Sequence, residues 1–214
     1  MGLLNRLSTR KTEDEAPVSR GASAAQVFPT KALRKFLTSL TQHESPVLLD
    51  LGPVVGGNVS FFGEQLGCKI FVEDIYAEID RHTREDKLDG LPDYLARRLP
   101  QAEGSVDGIL CWDVMDYLAR PAAQALAKEL MRVLKPDGTL LAFFGSAQSH
   151  DAPFYTKYIV VDEISLMYRR YKATRGRHAI LLNRDIIRLF EGLHVADQFL
   201  LQNNVRELLF RKPA

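Results

Sequence analysis

The chain is 214 residues long, with a formal net charge of +1, 46% apolar residues and 26% charged residues. This length and composition predict one soluble globular domain with a substantial core. The balanced charge gives no reason to expect nucleic acid or an anionic membrane as partner, and no apolar run reaches the roughly eighteen residues of a membrane-spanning helix.

The opening Met1-Gly2-Leu3-Leu4 turns polar at Asn5-Arg6, too short for a secretory signal, and Arg6 stands where a myristoylation signal needs Ser or Thr. Residues 1–26 are polar, with mixed charge and no periodicity, and read as a mobile tail before a domain over 27–214. Thr30 is placed to cap a helix whose Leu33, Phe36, Leu37 and Leu40 share one face. Pro46 opens an apolar strand over 47–51, which ends in Asp50-Leu51-Gly52 and the glycine pair Gly56-Gly57. A helix over 58–66 follows, stopped at Gly67, and then a second strand over 69–75 that carries Glu73-Asp74 at its end. Residues 76–104 give no convincing third strand. Lys87-Leu88 is the best site for a very short one, and Leu91 to Leu99 looks helical.

The strand pattern returns over 105–113 and leaves through Trp112-Asp113. Pro121 suits the first turn of a helix with Leu126, Leu130, Val133 and Leu134 inward, and Lys135-Pro136-Asp137-Gly138 turns it into a strand over 139–144. Asn183 is read as the cap of a helix running through Glu191 and closed by Gly192. Two strands, 194–201 and 205–210, finish the chain around Gln202-Asn203-Asn204, where Asn tolerates positive φ. Alternation of strand and helix implies a parallel sheet covered on both faces. Cys68 and Cys111 lack metal-ligand spacing and read as buried free thiols, which suits a reducing cytoplasm.

A buried strand running into a glycine-rich turn and a helix brings backbone close to a cofactor, and an acid about twenty residues later, at the second strand tip, is placed for ribose hydroxyls. With these features in chain order, the sequence resembles the class I S-adenosylmethionine-dependent methyltransferases. The residues that carry the resemblance are Leu48-Leu49-Asp50-Leu51-Gly52, Val72-Glu73-Asp74-Ile75, Val106 to Val114 and Val133-Leu134-Lys135-Pro136-Asp137-Gly138-Thr139-Leu140. It implies an α/β doubly wound, Rossmann-like sheet of seven strands, mostly parallel with a C-terminal antiparallel hairpin. It also implies S-adenosylmethionine as cofactor. The loop of Asp50, Gly52, Gly56 and Gly57 would lie against the methionine part, Asp74 would take the ribose, and Trp112 and Asp113 would stand at the fourth strand tip above the methyl-transfer position. Glu73 is the alternative ribose acid.

The sequence departs from the family in its bulkier loop, Pro53-Val54-Val55, and in the acid that normally meets the adenine amino group, for which Asp89 is the nearest candidate. The Asn/Asp-Pro-Pro-aromatic motif of enzymes that methylate nucleobase amines is absent, which favours a small-molecule acceptor over nucleic acid. His150, beside Asp151, is the best-placed general base, but no catalytic residue is assigned. An insertion over 154–178 interleaves aromatics with Arg169, Arg170, Arg175 and Arg177. It reads as a solvated hairpin, as a wall for an anionic acceptor or, third, as a contact surface for nucleic acid, against which the near-zero overall charge argues. The alternative to an enzyme is a methyltransferase-like regulatory or interaction module. A nicotinamide-dependent enzyme is disfavoured because Gly52-Pro53-Val54 breaks Gly-x-Gly-x-x-Gly. The oligomeric state is not legible.

Overall fold

A computed structural model describes residues 26–146, 153–178 and 180–214. In chain order its elements are β1 (Gln26–Pro29), α1 (Ala32–Leu40), β2 (Val47–Asp50), α2 (Gly56–Val59, running on as a π-helical stretch, Ser60–Gln65), β3 (Lys69–Val72), α3 (Ile75–Arg84), α4 (Leu91–Leu95), β4 (Val106–Trp112) and α5 (Arg120–Val133). They continue with β5 (Leu134–Gly145), β6 (Phe154–Asp162), β7 (Ser165–Lys172), α6 (Asn183–Leu189), β8 (His194–Leu200) and β9 (Val205–Arg211).

The main sheet has the order β3-β2-β4-β5-β9-β8. β3, β2, β4 and β5 pair in parallel, and β9 joins β5 antiparallel with β8 outside it. The doubly wound architecture and terminal hairpin follow the sequence expectation, but the count is six strands among the described residues, not seven. The place proposed for a short third strand forms a 3-10 turn over Leu88–Gly90 that leads directly into α4.

Side chains of the central strands alternate between two cores, as the two-residue strand period requires. Leu49, Ile109, Leu140 and Leu208 face α3, α4, α5 and α6. Leu48, Leu110, Leu141 and Leu209 face α1 and Phe61-Phe62 of the π-helical stretch. α1 approaches β4 closely because position 108 is glycine: a Cβ there would lie 2.8 Å from Leu40 Cδ1 and 2.9 Å from Phe36 Cζ.

Several ends differ from expectation for local reasons. β3 stops at Val72 because Asp74 caps α3, its carboxylate accepting from Ala77 N at 3.0 Å. Thr30 does accept from Leu33 N at 3.3 Å, but the stronger cap of α1 is Glu207 of β9, whose Oε2 accepts from Lys31 N and Ala32 N, each at 2.9 Å. Asn183 does not cap α6; its Oδ1 accepts from Arg206 Nη1 at 2.8 Å. Asn204 takes the positive φ expected of the final hairpin, at 60°.

The insertion forms a second sheet. β6 and β7 make an antiparallel hairpin, and β1 adds to β7 with Gln26 opposite Tyr168, so Gln26, read as the last residue of the tail, takes part in this sheet. The rest of the expected tail, 1–25, lies outside the described residues. The hairpin is not solvated on both faces: Tyr158, Val160 and Leu166 are buried in the core shared with α1.

Candidate functional site at the strand tips

The carboxyl ends of β2, β3 and β4 converge. Asp50 ends β2 and is 5% exposed. Its Oδ1 accepts from Gly52 N at 2.9 Å and from the Trp112 indole Nε1 at 2.6 Å. Burial pushes its pKa up to about 6, against the lowering effect of those two donors.

Trp112 ends β4 with φ of +48°, a left-handed conformation that costs a bulky L-residue about 1–2 kcal/mol. The backbone kink aims the indole across the sheet ends at Gly52. A Cβ on Gly52 would lie 2.9 Å from Trp112 Cδ1, so this glycine accommodates the chain's own indole. The ring stacks on Tyr158 of β6 at 5.2 Å and 6° and meets Phe143 edge-on at 5.5 Å.

Gly56 and Gly57 open α2, and the side chain of the next residue, Asn58, is buried. Asn58 Nδ2 donates to Tyr158 O at 2.9 Å, and its Oδ1 accepts from Val160 N at 2.8 Å. One amide thus substitutes for a strand neighbour and holds the insertion against the glycine loop. The insertion therefore sits on the expected cofactor loop itself.

The two acids after β3 have different surroundings. Glu73 is taken by Arg98 and by Gln101 Nε2, the latter at 3.0 Å. Asp74 is half-buried, with one oxygen capping α3; burial raises its pKa, and Lys157 of the insertion acts in the opposite sense. Of the two, Asp74 is the acid beside the tip of β2, and its charge adds to the upward push on Asp50.

Asp113 is completely buried; it accepts from the Tyr76 hydroxyl and from Arg177 Nη2, the latter at 2.8 Å. Arg177 also lies 3.6 Å from Asp116, whose Oδ2 accepts from Gly145 N at 2.7 Å and whose pKa burial raises to about 7. Tyr76 packs between Tyr117 and Tyr155 at 5.1 and 5.5 Å. Arg177 is thus the insertion guanidinium that reaches the strand tips. Arg169 and Arg170 are exposed, Arg170 lying over the Phe154 ring at 4.3 Å. In the sequence Arg177 belongs only to a basic stretch and Tyr158 only to the aromatics interleaved with it, Asn58 only opens a helix, and nothing marks Tyr76.

Asp89 is exposed in its 3-10 turn, at a cleft of about 220 Å³ lined also by Leu88, Leu91, Tyr117, Pro121 and Arg175. His150 and Asp151 lie outside the described residues. Cys68 and Cys111 are free and buried, and burial pushes the Cys68 thiol up to about 11. Among the described residues no helix is long and apolar enough to cross a membrane, and no group of three or more His, Cys, Asp or Glu is arranged to hold a metal ion.

Residues 49–142, which carry all three strand tips, match the family model described as methyltransferase domain. That match identifies the central part of the chain, less than half of its length, as a methyltransferase domain. Among solved structures, its fold is similar to an S-adenosylmethionine-dependent methyltransferase from Aquifex aeolicus, at 14% identity over 84% of this chain and 88% of that one, with a TM-score of 0.50. It is equally similar to the cyclase SpnF, at 15% identity over 85% and 81%, with a TM-score of 0.51. A third is the 1,6-didemethyltoxoflavin N1-methyltransferase from Burkholderia thailandensis, bound to 1,6-didemethyltoxoflavin and S-adenosylhomocysteine, at 16% identity over 86% and 79%, with a TM-score of 0.48. No curated protein sequence matches the chain significantly.

The family's cofactor is S-adenosylmethionine, and the fit of this chain to it is uneven. A half-buried acid and a glycine turn stand at the tips. The hollow beside Gly52, however, is filled by the Trp112 indole, and the Asp50 oxygen facing it is already engaged twice. That side of the turn is thus occupied by the chain's own ring.

Proposed function

We propose that this methyltransferase acts on a small-molecule acceptor and holds its cofactor at the tips of β2, β3 and β4. In this reading the Asp50–Gly52 turn and the glycine pair Gly56-Gly57 receive the methionine part, Asp74 accepts from the ribose hydroxyls, and Trp112 and Asp113 border the reacting end. The observation that carries it is the convergence of Asp50, Gly52 and Trp112 through two hydrogen bonds to one oxygen, with Asp74 beside them. When bound, S-adenosylmethionine supplies an electrophilic methyl group on a good leaving group. The chain's task is then mainly to orient the reactants and exclude water. The cleft at Asp89, Tyr117 and Arg175 supports an acceptor of modest size, and Arg175 at its wall suits one bearing a carboxylate. The two buried free thiols suit a reducing cytoplasm.

A second reading, a methyltransferase-like module without turnover, is favoured by the filled hollow at Gly52. Incubation with methyl-labelled S-adenosylmethionine and a panel of carboxylate, phenol and amine acceptors tests the choice. Label on any acceptor, lost in Asp74→Ala, supports the enzyme. Cofactor binding without transfer to any acceptor favours the module.

A further inference from the structure

Trp112 is the chain's sole tryptophan, and its placement is unusual on three counts. Its backbone is in the left-handed region, at φ of +48°. Its N–H donates to a buried carboxylate, Asp50. Its ring occupies the hollow that glycine leaves at position 52. A strained backbone at a functional site persists only where its surroundings hold it there. Those surroundings are aromatic packing from Phe143 and Tyr158, and the strand that carries Tyr158 is itself held by the Asn58 side-chain amide, which donates to Tyr158 O and accepts from Val160 N. Asn58 directly follows the glycine pair, so one loop both frames the hollow and clamps the strand that seats the indole.

We propose that Trp112 is an internal occupant of the cofactor cradle, and that an S-adenosyl ligand binds by displacing the indole from Asp50 and Tyr158. This rests on the reading that the cradle at Asp50, Gly52 and Asp74 is the cofactor site. It adds that the chain's own side chain competes for that site. A ligand must expel a packed ring before it binds, so its apparent affinity is lowered by the fraction of time the cradle is open. A shorter side chain at 112 removes the competitor.

The test uses the full chain and S-adenosylhomocysteine as probe. Heat and tryptophan emission are titrated on the natural protein, where no other indole contributes. Heat alone is titrated on Trp112→Leu and Trp112→Phe. The expected result is a saturable red shift of emission that follows the calorimetric isotherm, as a ring now 2% exposed moves toward water, together with at least tenfold tighter binding by Trp112→Leu. Binding by Trp112→Leu alone, with none by the natural protein, also supports displacement. Binding by the natural protein with unchanged emission, or equal affinity in the Leu variant, overturns displacement and leaves the cofactor site standing. No binding by any of the three overturns the cofactor site and the displacement together. The emission titration needs no variant, so it decides the matter even if Trp112→Leu does not fold; Trp112→Phe, which keeps a ring but no N–H, is then the comparison.

Discussion

Asp50→Asn isolates the cost of a buried carboxylate at the heart of the site. The carboxyl is 5% exposed and its pKa rises from 3.8 to about 6, with desolvation as the largest cause. A raised acid is protonated in the folded state over a range where the unfolded chain has already ionised. Its contribution to stability is therefore most favourable below about pH 4 and declines as pH rises through 6. The rise from 3.8 to about 6 corresponds to about 3 kcal/mol above pH 7. Asparagine keeps an oxygen for the Gly52 and Trp112 donors and has no charge to desolvate. Without ligand, the variant is expected to be more stable than the natural protein by roughly 2–3 kcal/mol at pH 8 and nearly equal to it at pH 4. For a chain of this size that is roughly 5–10 °C in Tm. Urea and thermal unfolding of both proteins at the two pH values measure it; groups not coupled to Asp50, Asp116 included, cancel in the difference, whereas the charge of Asp74, which pushes on Asp50, is part of the effect measured. A difference that does not change with pH, or an Asn variant less stable at pH 8, would refute the desolvation argument.

Three further outcomes are expected. Arg177→Ala strips the cation from two acids whose side chains are each 1% exposed. It should cost about 3 kcal/mol at pH 8, and less at pH 5, where Asp116, raised to about 7, is already protonated; denaturant unfolding at both pH values checks this. Asn58→Ala removes both side-chain bonds to the β6 backbone and should destabilise by about 2–3 kcal/mol, with faster proteolytic cleavage near 154–172 as the local signature. Asp74→Ala should weaken S-adenosylhomocysteine binding roughly tenfold or more through lost ribose contacts. Glu73→Ala should mainly lower stability, because Arg98 loses the nearer of its two carboxylates and keeps only Glu78; calorimetry and thermal unfolding separate the two.

What the sequence made legible was local. Leu48 to Gly52 and Ile109 to Asp113 are largely apolar runs ending in polar tips, so their strands, their burial and their common sheet edge follow from a few neighbouring residues. Asn204 and Gly192, both with positive φ in the structure, mark turns for the same reason. What stayed hidden depends on residues far apart in the chain. Asn58 meets 158 and 160 across about a hundred positions, and Glu207 caps α1 from 175 residues away. No periodicity records such pairings. α3 was obscured because its buried residues Ile75, Tyr76, Ile79 and His82 are interspersed with charge, and its cap is the same Asp74 that reads as a ribose acid. The third strand is replaced by a 3-10 turn and α4, which take up the short stretch 88–95. At the site, the tips were found but not their occupancy: glycine at 52 signals close approach without saying whether a ligand or an indole approaches.

Calorimetric titration of the full chain with S-adenosylmethionine, S-adenosylhomocysteine and NAD tests the central claim most directly. The account predicts saturable one-to-one binding of both S-adenosyl compounds and none of NAD. No heat from either S-adenosyl compound at millimolar concentration, or binding of NAD in their place, would contradict it.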